Sequence, residues 1–335
     1  MAALRVGIDV SPLAQTRAGT ARYLNEVTAA LDSNADVELH RYGFGGAGRA
    51  GAVLRDAIWY PALLPARAQR DGVDVLHCPT FRAPLRSATP LVVTFHDLAV
   101  LRHPEAFNRW SRRYSALMLP RVARGAAAII AVSEFTKGEL VELLAVPAEK
   151  VRVIPNAVAA PFRREGPASE GDYVLAVSTL EPRKNLHTLA DAFRRAKLDD
   201  CELRLVGGRG WGGVDVNGDR VRYLGFVSDE ELASLYRGAR CVAYVSRYEG
   251  FGLPVLEALA CGAAVVAADL PPIREFVGGA AITVDPTDPE AIAAGLEQAV
   301  ARRSELSAQG PDAAAPYDWD RTAAETLDLY REVAG

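Results

Sequence analysis

The chain has 335 residues, of which 50% are hydrophobic and 24% are charged, and its formal net charge at pH 7 is −4. This length predicts two domains with cores of ordinary size. The slight acidic excess argues against a general nucleic-acid-binding protein, which would carry a basic surface. The most apolar long stretch, 254–273, contains Glu257 and Asp269 and is therefore too polar for a membrane span.

Cysteine usage and the first residues both indicate a cytoplasmic protein. The chain runs from its first residues directly into a strand pattern, so no signal peptide is predicted. Cys78, Cys201, Cys241 and Cys261 lie in apolar stretches, and they form neither a C-x-x-C pair nor a cluster with zinc spacing. They are predicted to be buried, reduced thiols.

Short apolar runs rich in Val, Ile and Leu alternate with helical patterns along the whole chain. The runs lie at 5–10, 37–42, 73–77, 91–95, 128–132 and 151–154, and then at 173–177, 202–206, 221–226, 241–245, 264–268 and 281–284. Runs of this kind are typical of parallel strands buried on both faces, joined by helical crossovers. The fold class is therefore α/β, with two doubly wound, Rossmann-like domains facing each other across a cleft.

The seam between the two series of strands lies in a segment rich in Pro and small residues, at 155–167. The predicted domains are 1–160 and 161–316, followed by a C-terminal helix at 317–335 that packs back on the first domain. In doubly wound sheets, ligands bind beyond the carboxyl ends of the strands.

A charged segment follows the seventh predicted strand, where the chain reads EPRKN at 181–185. Arg183 and Lys184 lie at the start of a predicted helix, where positive charge opposes the helix dipole. One interpretation is that both side chains simply face water. A diphosphate held by the two cations and by free backbone N–H groups explains the pair better, because it lies at the carboxyl end of a strand.

A second segment, RYEGFGLPVLE at 247–257, joins the tenth predicted strand to a helix. The loop between Glu249 and Glu257 removes any fixed helical phase, so both carboxylates can point into one cleft. The backbone N–H groups of Phe251, Gly252 and Leu253 are expected to be free near the helix start, where an anion is favoured. The alternative is that Glu257 only complements the helix dipole and that Glu249 is solvated.

The segment from Leu101 to Gly125 is basic and also contains aromatic residues. It has a single acid, Glu105, and six arginines, which are Arg102, Arg109, Arg112, Arg113, Arg121 and Arg124. One interpretation is a solvated helix whose aromatic side chains lie in the core. The other is a peripheral surface for an anionic acceptor or for lipid head groups.

Three further patterns are interpreted without a catalytic role. GFGGAG at 43–48 matches a dinucleotide fingerprint but lacks the acidic residue that should follow, so a loop is predicted. GGRGWGG at 207–213 is predicted to be a loop near a base pocket. Asp318 and Asp320 have the spacing of a metal-binding pair, but they immediately precede the last helix and are interpreted as its N-cap and dipole complement.

Taken together, the motifs resemble those of family 4 glycosyltransferases, which have the GT-B fold. The pattern E-x₇-E at 249–257 follows PRKN at 182–185, and TFHDL at 94–98, VSEFTK at 132–137, IPNAV at 154–158 and LGFVS at 224–228 occur in the expected order. The similarity covers nearly the whole chain. One departure is the first loop, TRAGTARY at 16–23, where relatives often have a pair of glycines.

The resemblance implies a role for each matching position. Arg183 and Lys184 would bind the donor diphosphate, Glu249 the sugar hydroxyls and Glu257 the ribose hydroxyls. The loop to the helix start at Phe251, Gly252 and Leu253 would also contact the donor. The first-strand loop at Gly19 and Thr20 would approach the phosphates, and the base pocket would be lined by Val206, Gly207, Phe226 and Val227.

His96, at the end of the fourth predicted strand, has two interpretations. A lone histidine there would pack against Asp97, which would cap the next segment. In the context of the family pattern, His96 is expected to lie beside the donor sugar and the acceptor. The catalytic candidates are therefore His96, Arg183, Lys184 and Glu249.

The resemblance implies a retaining, metal-independent hexosyltransferase with no cofactor. TFHDLAVLRHPEAF at 94–107 is most similar to mannosyltransferases, which favours GDP-mannose over other nucleotide-diphosphate hexoses. The acceptor, a glycan, lipid-linked sugar or small molecule, and the oligomeric state are left open. Two alternatives are a sugar-nucleotide-binding protein without activity and a nicotinamide-dependent oxidoreductase, which lacks its fingerprint on the first βα turn.

Overall fold

The computed structural model of the protein describes residues 3–16, 19–46, 48–210, 216 and 218–335. The chain forms two compact units, the first comprising Met1–Asn156 with Trp319–Gly335 and the second comprising Ala157–Asp318. Each unit contains one six-stranded sheet with helices between its strands, which confirms the predicted α/β class.

The sheet of the first unit is entirely parallel. Its strands are β1 (Leu4–Asp9), β2 (Val37–Tyr42), β3 (Val75–Cys78), β4 (Leu91–Phe95), β5 (Ala128–Ala131) and β6 (Val151–Val153). They lie side by side in the order β2-β1-β3-β4-β5-β6. Every residue of β3, β4 and β5 is buried, as expected for central parallel strands that read as continuous apolar runs.

The helices of the first unit include one from the far end of the chain. They are α1 (Gly19–Asp32), α2 (Gly48–Leu54), α3 (Leu64–Asp71), α4 (Ala99–Arg102), α5 (Arg109–Gly125), α6 (Glu134–Leu144) and α13 (Trp319–Ala334). A wider, π-helical segment at Arg55–Leu63 connects α2 to α3. Helix α13 packs against α1 and against β3, and it therefore belongs to the first unit although it follows the second in sequence.

The second unit repeats the parallel architecture. Its strands are β7 (Tyr173–Val177), β8 (Glu202–Val206), β9 (Val221–Gly225), β10 (Cys241–Tyr244), β11 (Val265–Ala268) and β12 (Ala281–Val284). Its helices are α7 (Leu186–Arg195), α8 (Asp229–Gly238), α9 (Leu253–Ala260), α10 (Pro271–Val277), α11 (Pro289–Ala301) and α12 (Arg303–Ala314). The sheet order is β12-β11-β10-β7-β8-β9, again with parallel pairing.

The order of strands changes direction once in each sheet. From β7 the chain first moves outward through β8 and β9, and it then returns to place β10 on the other side of β7. In the first unit the equivalent change lies between β1 and β3. Beyond the carboxyl ends of such strand pairs the connecting loops part and leave a crevice, the usual ligand site of doubly wound folds.

All twelve predicted strands are present. Five have the predicted ends, and the others differ by one or two residues at an end, which is the ordinary uncertainty of strand boundaries. All four cysteines are free and buried, as their apolar surroundings predicted.

Candidate active site

The charged segment after β7 forms a 3-10 turn over Pro182–Lys184, and α7 begins only at Leu186. Between them, Asn185 has a φ of 61°, a left-handed conformation that Asn tolerates better than most residues. Arg183 and Lys184 therefore directly precede α7, at the N terminus where they were expected, but outside its first turn. They occupy a separate turn, and the chain changes direction at Asn185 before the helix starts.

Asn185 holds this turn against the end of β10. Its Nδ2 donates hydrogen bonds to the carbonyl oxygens of Val245 (3.1 Å) and Pro286 (2.6 Å). Its Oδ1 accepts from Thr188 Oγ1 (2.7 Å) and Arg247 Nε (3.0 Å). The side-chain amide is 4% exposed and uses both its donor and its acceptor atoms, so it fixes the relative position of the two charged segments.

The two cations of the turn meet Glu249, which lies after β10. Lys184 Nζ is 2.7 Å from Glu249 Oε1, and Arg183 NH1 is 3.3 Å from Glu249 Oε2. Arg183 also donates to Glu181 Oε1 (2.8 Å) and to the carbonyl oxygen of Tyr248 (2.7 Å). Two positive and two negative side chains thus form one cluster at the switch point of the second sheet.

Glu249 is 7% exposed, so the interpretation that it is solvated is wrong. Burial alone would raise the pKa of its carboxyl, but the charges of Lys184 and Arg183 and the hydrogen bond from Lys184 lower that pKa to about 2. Lys184 also lies 3.2 Å from the hydroxyl of Tyr244, at the end of β10. Burial and the nearby Glu249 carboxylate raise the pKa of that hydroxyl, which therefore stays protonated.

The loop after Glu249 leads into α9, whose first residue is Leu253. Gly252 has a φ of 115°, a conformation that L side chains rarely adopt. Phe251 stacks on Phe276 of α10, with ring centroids 5.3 Å apart, and this contact holds the loop against α10. Among the described residues, no acceptor is found for the backbone N–H groups of Phe251, Gly252 and Leu253. They form the kind of helix N terminus that binds anions.

Glu257 occupies the second turn of α9 and is 1% exposed. Its Oε2 accepts a hydrogen bond from Tyr236, on α8, at 3.2 Å. The interpretation that Glu257 only complements the helix dipole is therefore wrong, because a buried carboxylate with a side-chain partner is a fixed hydrogen-bonding group.

The residues expected to line a base pocket lie at the ends of β8 and β9. Val206 accepts from Ser178 N at 2.9 Å, and Gly207 accepts from the Tyr223 hydroxyl at 2.7 Å. A Cβ on Gly207, whose φ is 143°, would lie 2.0 Å from the carbonyl oxygen of Ser178, so only glycine fits this close approach. Phe226 is 58% exposed and Val227 is half-buried. Of the glycine-rich segment 207–213, residues 211–213 lie outside the described residues.

In the first unit, His96 follows β4 directly. Its Nε2 is 3.0 Å from the carbonyl oxygen of Pro79, and its ring meets that of Tyr23 edge-on with centroids 4.9 Å apart. Burial lowers the pKa of His96, while the Pro79 carbonyl and the charge of Asp97 partly oppose this effect. Asp97 Oδ1 accepts a hydrogen bond from the backbone N–H of Ala99, the first residue of α4, at 3.0 Å.

Gly19 and Thr20 are the first two residues of α1. The two residues before them, Arg17 and Ala18, lie outside the described residues, as does Ala47 in the glycine-rich segment 43–48. Gly43 to Gly46 of that segment follow β2 as a loop, and Gly48 begins α2.

Helix α5 carries most of the basic segment, and its aromatic residues are not all in the core. Trp110 is 66% exposed, which contradicts the interpretation of a helix with its aromatic side chains buried. The apolar side chain of Leu117 is also exposed. Arg102, on α4, is paired with Glu139 at 2.6 Å and with Glu142 at 2.9 Å.

The described part of the chain contains no group of three or more His, Cys, Asp or Glu residues that could hold a metal ion. Asp318 directly precedes α13 and Asp320 lies in its first turn. None of the described helices combines the length and the apolar character needed to cross a bilayer.

Sequence reasoning missed three residues that build this site. Asn185 was seen only as part of a motif, although an Asn between a turn and a helix could have suggested a left-handed corner. Glu181 and Tyr244 gave no signal of their own. Their roles depend on two strands that are adjacent in space but 60 residues apart in sequence.

Solved structures of other proteins have the same architecture. Sucrose-phosphate synthase from Thermosynechococcus elongatus superposes with a TM-score of 0.81 at 20% identity, covering 98% of each chain. Anabaena Alr3699/HepE, solved with UDP and glucose, superposes with a TM-score of 0.73 at 19% identity, covering 98% of this chain and 100% of that one. The two doubly wound parallel units therefore have the GT-B fold.

Sequence comparison identifies the protein family. The family model described as Glycosyltransferase Family 4 matches residues 5–160, and that described as Glycosyl transferases group 1 matches residues 160–314. O-antigen chain mannosyltransferase B from Escherichia coli is 34% identical over 303 residues, covering 81% of this chain and 79% of that protein. The chain belongs to glycosyltransferase family 4.

Proposed function

We propose that the protein is a retaining, metal-independent mannosyltransferase whose donor is a nucleotide-diphosphate mannose. The observation that carries this proposal is the cluster of Arg183, Lys184 and Glu249 beside the N terminus of α9. This site combines two cations with backbone N–H donors at the switch point of a doubly wound sheet. A diphosphate has the charge and the oxygen atoms that such a site can bind.

The cluster supplies the electrostatic part of the reaction. When the bond between the sugar C1 and the phosphate oxygen breaks, negative charge develops on the leaving diphosphate. Lys184, Arg183 and the N–H groups at the start of α9 stabilise that charge without a metal ion. Their side chains are already held by hydrogen bonds, so little reorganisation is needed when the charge appears.

Retention follows from front-face attack. The acceptor hydroxyl forms its bond to C1 on the face that the diphosphate leaves, and its proton passes to the departing phosphate oxygen. The Glu249 carboxylate is engaged by Lys184 and Arg183, which disfavours it as a nucleophile. Donor hydrolysis followed by proton NMR tests this step, because retention releases the α anomer of mannose first and inversion would release the β anomer first.

His96 is proposed to bind the donor sugar. A carbonyl oxygen can only accept a hydrogen bond, so the contact with Pro79 places the imidazole proton on Nε2. With its pKa lowered by burial, the ring is neutral at pH 7 and Nδ1 is an acceptor. Nδ1 is then suited to accept a hydrogen bond from a sugar hydroxyl.

Mannose is proposed because of the similarity to O-antigen chain mannosyltransferase B, and GDP is the expected nucleotide. The acceptor is proposed to be a saccharide or a lipid-linked saccharide. The test is thermal unfolding with GDP, UDP, dTDP and ADP, each with and without EDTA. A nucleotide at one hundred times its Kd adds about 2.7 kcal/mol of stability. A shift by GDP alone, unchanged by EDTA, is the expected result, whereas a shift that EDTA abolishes contradicts metal independence.

A second proposal concerns α5, which we infer is a contact surface for an anionic membrane. The helix contains five arginines and no acid. Within the described residues, Arg109, Arg112 and Arg113 form no ion pair, and Trp110 is exposed beside them. Basic side chains interspersed with exposed apolar ones are typical of helices that lie in a bilayer interface.

Vesicle flotation tests this surface. The wild type is expected to float with vesicles that contain phosphatidylglycerol but not with pure phosphatidylcholine. Replacement of Arg109, Arg112 and Arg113 by Gln should abolish flotation, whereas the same replacement of Arg302 and Arg303, on the second unit, should not. Unchanged flotation and unchanged acceptor KM in the triple variant would show that α5 is not the contact surface.

A further inference from the structure

A continuous line of hydrogen bonds runs through the core of the first unit and ends on the C-terminal helix. The hydroxyl of Tyr330, on α13, is 2.6 Å from His77 Nδ1 on β3. His77 Nε2 is 2.8 Å from Thr94 Oγ1 on β4, which is 3.1 Å from the hydroxyl of Tyr23 on α1. All four side chains are at most 1% exposed.

Both nitrogens of the His77 ring take part in the line. Burial and the nearby His96 lower the pKa of His77 to about 3, so its ring is neutral and carries one N–H. One ring nitrogen therefore donates and the other accepts, Nδ1 with Tyr330 and Nε2 with Thr94. The ring of His77 is thus held on one side by the C-terminal helix and on the other by β4.

At its other end, the line of hydrogen bonds reaches Tyr23, whose ring contacts His96. The ring of Tyr23, whose hydroxyl is held by Thr94, meets the His96 ring at 4.9 Å with an interplanar angle of 80°. Trp319, the first residue of α13, lies on Tyr23 as well, with centroids 6.0 Å apart. Tyr23 is therefore held at its hydroxyl by Thr94 and at its ring by Trp319. Its ring in turn contacts one side of the His96 imidazole.

Apolar packing alone would not need this arrangement. Phe, Leu and Val at these positions would fill the same volume without the cost of burying four polar groups. A buried network of this kind instead specifies one geometry, because displacing a member breaks hydrogen bonds that water cannot replace there.

We propose that Tyr330, His77 and Thr94 are positioning residues through which the C-terminal helix sets the orientation of Tyr23 and hence of the His96 ring. Helix α13 thereby takes part in the reaction through its contacts with the core of the first unit. Its consequence for turnover rests on the proposed role of His96, but the positioning itself does not.

The experiment uses the full chain with ¹⁵N-labelled histidine and detects the ring nitrogens by NMR. Tyr330→Phe and Thr94→Val each interrupt the line while keeping the volume of the side chain. The matched control is Thr326→Val, which removes a buried hydroxyl of α13 whose one partner among the described residues is Thr322 O of the same helix. Thr94→Ser keeps the hydroxyl and serves as the conservative variant.

Both interrupting variants are expected to shift the ring resonances of His96, while Thr326→Val and Thr94→Ser leave them as in the wild type. Unshifted His96 resonances in Tyr330→Phe and Thr94→Val would overturn the proposal. An equal shift in Thr326→Val would also overturn it, because the effect would then be general to the core. Melting temperatures of all variants show that each is folded at the temperature of the spectra.

Turnover gives the second readout, with GDP-mannose hydrolysis as the assay. Tyr330→Phe is expected to lower kcat several-fold with less than a twofold change in the Kd for GDP, because the diphosphate site is in the other unit. If the wild type neither binds GDP nor hydrolyses GDP-mannose, the proposed donor is wrong, and the NMR comparison still decides the positioning. Shifted His96 resonances with unchanged kcat would overturn the link to the reaction.

Discussion

Glu249→Gln removes one negative charge from the cluster at the second switch point and keeps the shape of the side chain. In the unfolded chain the carboxyl has its ordinary pKa of 4.5, and in the folded protein Lys184 and Arg183 lower it to about 2. The pKa of the folded state is the lower one, so the carboxylate stabilises the fold fully above pH 4.5. That stabilisation is lost as the pH falls towards 2.

The size of the effect follows from the two pKa values. At 1.36 kcal/mol per pKa unit, the difference corresponds to about 3 kcal/mol of stability at neutral pH. For a unit of this size, 1 kcal/mol changes the Tm by about 2–4 °C, so Glu249→Gln should lower the Tm of the second unit by about 6–12 °C at pH 7. At pH 3 much of this stabilisation of the wild type is already lost. The difference in Tm between wild type and variant should therefore be less than half of its value at pH 7.

The assay is urea and thermal unfolding of wild type and variant at pH 7, 4 and 3. The control is Glu305→Gln on α12, which removes an exposed carboxylate paired with Arg302 and should leave the Tm unchanged. An equal gap between wild type and Glu249→Gln at all three pH values would refute the reasoning, because the effect would then not depend on the carboxylate charge. A variant as stable as the wild type at pH 7 would refute it as well.

Three further predictions concern the same unit. Lys184→Ala should lower kcat/KM for GDP-mannose at least tenfold in steady-state kinetics, because a charge-assisted hydrogen bond contributes about 1.5–3 kcal/mol. A variant with full activity would show that Lys184 does not bind the diphosphate. Phe226→Ala should weaken GDP binding by about fivefold in calorimetry, because aromatic stacking on a base contributes about 1 kcal/mol or more; an unchanged Kd would place the base elsewhere. Gly207→Ala should lower the Tm markedly, because its Cβ would meet the Ser178 carbonyl, whereas Gly208→Ala has open space around its Cβ and should not.

Most of the fold could be predicted from the sequence because buried parallel strands are continuous apolar runs. The ends of strands were less certain because they depend on neighbours. The run at 73–77 predicted an early start for β3, which in fact begins at Val75. The reason is that the Asp74 carboxylate accepts from the backbone N–H of Arg5 at 2.9 Å, a hydrogen bond that no local pattern indicates.

The candidate site could be predicted only in part, for a similar reason. Charges at the ends of two strands indicated an anion site, and the topology brings those ends together. The sequence could not show that Lys184 and Arg183 are already paired with carboxylates, because Glu249 is 65 residues from Lys184 along the chain. Nor could it show that Asn185, through a left-handed corner, holds the two segments at a fixed distance.

The pairing of Arg183 and Lys184 with carboxylates changes how these side chains would bind the proposed diphosphate. Arg183 and Lys184 together carry two positive charges, and Glu181 and Glu249 together carry two negative ones, so the four side chains have no net charge at pH 7. Attraction by net charge therefore cannot hold the anion, and directed N–H groups must do so. The Lys184 ammonium has three N–H groups, and among the described residues it has only the partners Glu249 and Tyr244. We infer that its third N–H, together with the backbone N–H groups that begin α9, points at the phosphate oxygens. In the proposed diphosphate site the carboxylates then serve to hold the cations in place, which gives the two buried acids a role beside a bound anion.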